Sequence, residues 1–423
     1  MNSPGRETDV PLGRRMKILH LDKKIPYPPR DGGSIATLNI ARAFARLGHD
    51  VTILAMNTNK HFFDTANLPD EIACELKMHA VKVNTDINPV AALAALLKKR
   101  SYNVQRFISK GFDNRLRAIL TQEGPFDVVQ LEGLYLVPYI PAIRDVSDAI
   151  VSLRAHNVEH TIWERRAEHT SSFVKRYYLN HLARRLREYE IRALDLVDAI
   201  VPISPIDERA FVDFGCRRPM HMCPASFSED TVRPNGATPP QHSICFLGAL
   251  DWGPNREGLD WFMKKVWPAV LKRFPDLVIH IAGRNMPDAV NAWKSANVQI
   301  DGEVDDAYEY MRRFNLMVVP LLSGSGMRVK IIEGMALGKV VVSTPVGIEG
   351  IDVRHGEQAV IAETPEDYAR QIIACLEDEG LCRRISASGL QFAREHFGSL
   401  PTTRRLAGFY GEMLVAQQTK NSQ

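Results

Sequence analysis

The chain contains no stretch approaching the roughly 18 apolar residues that a membrane-spanning helix needs. Its opening, MNSPGRETDVPLGRR, lacks the apolar centre of a secretory signal. Cysteine is scarce, with six in 423 residues, which does not suggest a disulfide framework. Cys216, His221 and Cys223 lie close together, but no second pair follows at a zinc spacing, so reduced thiols are expected there. Charge of one sign is also lacking. A formal net charge of +3, without Lys/Arg runs interleaved with aromatics, gives no footprint of a nucleic-acid binder. What remains is the expectation of a cytoplasmic globular protein, and 45% apolar with 24% charged residues agrees with it. Its length calls for two cores of about 200 residues each.

The apolar pattern gives the organisation. Residues 16–21 (MKILHL) form a short apolar run of strand length. A helical spacing follows, with Leu38, Ala41 and Ala45 on one face and Gly48 placed as a C-terminal cap, and then comes VTIL (51–54). Strand, loop, helix and strand in that order build a parallel sheet covered by helices. Further strands are expected at 127–131, 149–153 and 199–204. The rhythm breaks over 205–242, rich in Pro, Gly, Ser and Thr, and restarts with strands at 243–250, 277–283, 298–304, 316–321 and 339–344. The expected fold class is α/β, with two Rossmann-like domains facing across a cleft. The expected divisions are a disordered tail over 1–15, an N-terminal domain over 16–225 and a linker over 226–242. A C-terminal domain over 243–400 and a closing helix and tail over 401–423 complete them.

Each domain carries a glycine loop between a strand and a helix. RDGGS (30–34) removes side chains where a phosphate could approach unpaired helix N–H groups, although a tight turn explains it equally well. SGSG (323–326) leads into a helix expected from about Met327, where Arg328, Lys330 and Glu333 follow. Cations in the first turn oppose the helix dipole, and such a local violation points to function. A guanidinium and an ammonium there suit a diphosphate, and a carboxylate just beyond suits ribose hydroxyls. The alternative is a Lys330–Glu333 pair three residues apart, worth only about 0.2–0.5 kcal/mol on an exposed helix.

VVPLLSGSGMRVKIIEGMALGKVVVSTPVGIEGI (318–351) resembles the donor-site segment of retaining glycosyltransferases of family 4, which have the GT-B architecture. The likeness extends to PPRDGGSIATLNIARAFARLGHDVTIL, to FLGALDWGPNREGLDWF (246–262), and to IHIAGRNMP and DGEVDD (279–306). The resemblance implies transfer of a hexose-type sugar from a UDP- or GDP-sugar, without cofactor or metal, to an acceptor held by the N-terminal domain. That acceptor would be a glycan, a lipid-linked molecule or a small molecule, in bacterial polysaccharide or glycoconjugate synthesis. It maps donor contacts onto Gly33, Gly326, Arg328 and Lys330, ribose binding onto Glu333, the wall against the base onto Gly302 to Val304, and a place near the donor onto Arg284. Two departures stand out. Many members have two glutamates separated by seven residues, and here only Glu333 is present. Many also carry Arg and Lys after the first strand of the second domain, where this chain has Ala249 and then PNREG, so Arg328 and Lys330 are candidates to replace them.

RAHNVEHTIWERR (154–166) follows the strand at 149–153. Read literally, His156-x-x-Glu159-His160 is an inverted zinc-peptidase motif, provided one helix carries it. In the transferase reading, His156 orients the reacting sugar or acceptor, with Glu132 as a second catalytic candidate at the end of its strand. An epimerase-type or non-catalytic sugar-nucleotide protein is the remaining alternative. Between 173 and 194, Val174, Tyr178, Leu182, Leu186 and Tyr189 form a helical stripe expected to face the core. The surrounding basic residues allow a peripheral contact with anionic lipid at the inner face of the cell membrane.

Overall fold

The computed structural model describes residues 14–29, 31–86, 101–168, 170, 172–234, 239–324 and 327–421. Most of the expected N-terminal tail, and Gly326 of the second glycine loop, lie outside the described residues. The chain forms two compact units, Met1–Ser226 with Thr402–Gln423, and Phe227–Pro401.

The first unit is built on β1 (Lys17–Asp22), β2 (Asp50–Asn57), β3 (Lys77–Lys82), β4 (Val128–Glu132), β5 (Ile150–Ala155) and β6 (Ala199–Pro202). All neighbours are parallel, in the order β3-β2-β1-β4-β5-β6. Central strands of such a sheet are covered on both faces, which is why β4 and β5 are buried at every residue. The helix Gly32–Arg46 buries Leu38, Ala41 and Phe44, and Gly48 at φ +89° accepts the left-handed turn that follows it. The closing helix, Ser399–Asn421, sends Leu406 and Tyr410 into this core. The Tyr410 hydroxyl donates to Gln130 Oε1 at 2.8 Å and shares a 2.8 Å hydrogen bond with Ser152 Oγ.

The second unit holds β7 (Ile244–Leu247), β8 (Ile279–Ala282), β9 (Val298–Gly302), β10 (Leu316–Val319), β11 (Val340–Ser343) and β12 (Val360–Ile361). Their order is β12-β11-β10-β7-β8-β9, again parallel. Phe227 and Val232 are buried in this unit's core rather than strung out in a linker. The sheet order reverses between β1 and β4 in one unit and between β7 and β10 in the other. Crevices at the carboxyl ends beside such reversals are where α/β sheets bind ligands.

The stripe expected on 173–194 needs correction. The helix Phe173–Leu194 is continuous, but it buries Leu179, Leu182, Ala183, Leu186, Glu190 and Ala193. Val174 is 77% exposed and Tyr178 39%. Periodicity fixes a face but not where along the helix its neighbour ends.

Candidate functional site

At the carboxyl ends of β1, β4 and β5, burial collects charged groups around Glu132. This carboxylate is 1% exposed and takes contacts from His156 Nε2 at 2.7 Å, Arg154 Nη1 at 3.2 Å, Thr37 Oγ1 at 3.2 Å and His20 Nδ1 at 3.3 Å. Burial alone would raise its pKa. The Arg154 charge and the His156 and His20 contacts outweigh that and hold it well below the usual carboxylate range. His156 is pushed down by burial, with Glu132 opposing the shift and Arg154 adding to it, which favours the neutral imidazole. A neutral ring donating Nε2–H to Glu132 keeps its lone pair at Nδ1. Asp22, one strand over, is raised to about 7 by burial and by the nearby Glu132 charge.

Gly33 lies beside this cluster. A Cβ there would stand 3.4 Å from Asp31 Oδ1 and 4.0 Å from His156 Nδ1. The helix start at Gly33 is already capped, since Asp31 accepts the Ser34 N–H at 3.0 Å and pairs with Lys24.

The literal zinc motif does not form. The helix starts at Glu159, so His156 precedes it. His156 engages Glu132, His160 Nδ1 meets Glu190 Oε2 at 2.6 Å, and Glu159 accepts the Tyr135 hydroxyl at 2.8 Å. The three groups serve three different contacts, and no cluster of potential metal ligands occurs among the described residues.

The second constellation surrounds the carboxyl ends of β7 to β10. The helix Val329–Ala336 begins with Arg328 as its N-terminal cap residue. Lys330 does not pair with Glu333. Its ammonium donates to Leu247 O at 3.2 Å and Asn255 Oδ1 at 3.0 Å, and sits 5.0 Å from the centre of the Phe246 ring. Burial, with repulsion from Arg328, lowers its pKa to about 7. Arg328 is 7% exposed and lies 5.3 Å over the Trp252 ring. Gly324, at φ +112°, leaves room for it, since a Cβ there would stand 2.9 Å from Arg328 Nη2. Glu333 accepts the Tyr308 hydroxyl at 2.9 Å, and burial raises its pKa.

Arg284 and Val304 leave the adjacent strands β8 and β9. Arg284 is exposed, and Val304 is half-buried against the core. The loops after β7 and β8 touch closely, because a Cβ on Gly283 would fall 1.8 Å from Gly248 O. The structure thus gathers Arg284, Val304, Arg328, Lys330 and Glu333 at one end of the second sheet, and Gly33, Glu132 and His156 at one end of the first. Asp22, Arg154, Asn255, Trp252 and Tyr308 join these groups without having been expected. Asp22 ending an apolar strand was the one legible signal; the others depend on contacts far apart in sequence.

No helix among the described residues is long and apolar enough to cross a membrane. Residues 31–225 match a family model described as glycosyl transferase 4-like domain, and residues 241–378 match glycosyl transferases group 1. An uncharacterized 44.6 kDa protein in the cps region of Klebsiella pneumoniae is 25% identical over 400 residues, spanning 90% of this chain and 97% of that one. HepE from Anabaena, solved in complex with UDP-glucose, superposes with a TM-score of 0.60 at 14% identity, over 94% of this chain and 100% of the other. Sucrose-phosphate synthase from Thermosynechococcus elongatus gives 0.63 at 16% identity, over 95% and 100%.

Proposed function

Since the chain is a glycosyltransferase of GT-B architecture, we propose that it moves a sugar from a UDP- or GDP-sugar to a glycan, lipid-linked or small-molecule acceptor, with retention at the anomeric carbon. The observation that carries this reading is Lys330, a half-buried ammonium whose two described hydrogen-bond partners are neutral oxygens. Holding a cation there costs free energy that an anionic ligand would offset. With Arg328 beside it, the site suits a diphosphate. Glu333 takes ribose hydroxyls, Val304 borders the base, and Gly326 and Arg284 complete the donor contacts of the second unit.

In the reaction, the bond from the anomeric carbon to the phosphate oxygen breaks as the acceptor oxygen bonds on the same face. The acceptor proton passes to the departing phosphate. Arg328 and Lys330 stabilise the growing phosphate charge, so no metal ion is required. His156 uses its Nδ1 lone pair to orient a hydroxyl of the reacting sugar or acceptor, with Glu132 fixing the ring. The relative from a cps region supports a place in bacterial polysaccharide synthesis. We place the protein in the cytoplasm, where exposed Phe173, Val174 and Tyr177 beside Lys175 and Arg176 support a peripheral contact with anionic lipid. The test incubates the protein with UDP- and GDP-sugars and acceptor glycosides in EDTA, and reads the product anomer by NMR. Release of nucleoside diphosphate with retained configuration is expected; an inverted product, or dependence on a divalent ion, would overturn the mechanism.

A further inference from the structure

The first unit contains a cavity of about 370 Å³ next to the His156 cluster, reached from the ends of β1 and β5. A cavity of this size holds one or two sugar rings at most. Among the described residues its cationic lining comprises Lys23, Lys24, Lys60 and Arg106, and its acidic lining is Glu159 alone. Lys24 is paired with Asp31. Glu159 already accepts the Tyr135 hydroxyl, and burial favours its protonated form. The balance of charge facing the cavity is therefore positive.

Two neutral groups in the same wall are also informative. Asn103 is 6% exposed and Thr58 3%, yet Asn103 Nδ2 and Thr58 Oγ1 have no hydrogen-bond partner among the described residues. Both atoms are closed off from solvent as they stand, so a ligand's acceptor oxygens reach them once the two side chains turn toward the cavity, which relieves the unmet hydrogen bonds. Tyr135 and Trp163 add aromatic surface, and the Lys23 ammonium stands 4.8 Å from the centre of the Tyr135 ring.

We propose that this cavity binds the acceptor, and that the acceptor is a saccharide carrying a negative charge, either carboxylate or phosphate, on the ring held there. This rests on the glycosyltransferase reading of the first unit as the acceptor side. Lys60 and Arg106 recognise the anion, Asn103 and Thr58 bond ring hydroxyls, and Trp163 packs against the apolar face of the ring.

The test uses three probes that differ only at C6: methyl glucoside, methyl glucuronoside and methyl glucoside 6-phosphate. Each is titrated into the full-length protein, and UDP and GDP are titrated separately in the same preparation. At least one anionic probe should bind about tenfold or more tighter than methyl glucoside, and the preference should shrink as salt is added. Whichever anionic probe binds more tightly identifies the charge as carboxylate or phosphate. Lys60→Ala and Arg106→Ala should each reduce the preference, whereas Asn103→Ala should weaken all three probes alike in a protein of unchanged melting temperature. Equal affinity for the three probes, no binding of any, or a preference that survives both cation substitutions would overturn the proposal. Failure of both nucleotides to bind would instead count against the donor reading.

Discussion

Lys330 shows how far single residues could be read from the sequence. Its position near a helix start, with Arg328 before it and Glu333 after it, pointed to an anion site. Its reach to Asn255 and Leu247 depends on how the helix sits against β7, which no local spacing encodes. The lowered pKa of about 7 has a consequence with a definite sign. The unfolded chain, whose lysines titrate at about 10.4, binds more protons than the folded one between that value and 7, so stability falls as pH drops across this window and the loss is complete near 7. A diphosphate favours the charged form, so binding at pH 8 should take up a proton, and affinity should fall as pH rises above 7. Calorimetry in two buffers of different ionisation enthalpy measures the uptake, and Lys330→Met should abolish it. His156 was legible as a residue at a strand end, but its lowered pKa was not, because that depends on its burial and on Glu132 and Arg154. His156→Ala should lower kcat by about a hundredfold while leaving the donor KM nearly unchanged, since an orienting contact matters mainly in the transition state. A raised donor KM with unchanged kcat would make His156 a binding residue.

Among the elements, the buried parallel strands were the easiest to read, because burial on both faces leaves a continuous apolar run. The two missed strands lie at sheet edges. β3, Lys77–Lys82, begins and ends in lysine and is only half-buried between, while β12 has two residues. Edge strands need less apolar character, so their signal is weak. The glycines between strands and helices were legible as loops but not as packing contacts. Gly283→Ala would place a methyl 1.8 Å from Gly248 O and force β7 and β8 apart at their carboxyl ends. We expect a loss of about 1–3 kcal/mol in urea unfolding, the usual size of an overpacking penalty. An unchanged midpoint would mean that the two loops do not approach so closely.

For the whole molecule, two successive α/β sets announced two units, each with its own sheet reversal. The sequence did not show that residues 402–423 return to the first unit, since an apolar helix face does not say which core it will cover. Tyr410 is the clearest mark of that return. Tyr410→Phe should destabilise the protein by about 1–3 kcal/mol, because Gln130 and Ser152 lose a buried partner. Thermal unfolding of the first unit measures it, and an unchanged transition would mean the helix contributes little. The central claim is the division of labour at the donor site, and calorimetric titration of nucleoside diphosphate against free nucleoside tests it most directly. Arg328→Ala and Lys330→Ala should each weaken the diphosphate by roughly 1.5–3 kcal/mol, tenfold or more, and leave the nucleoside nearly unaffected. Glu333→Gln should weaken both alike. Unchanged binding in all three variants, or equal losses accompanied by a collapsed melting temperature, would contradict the account.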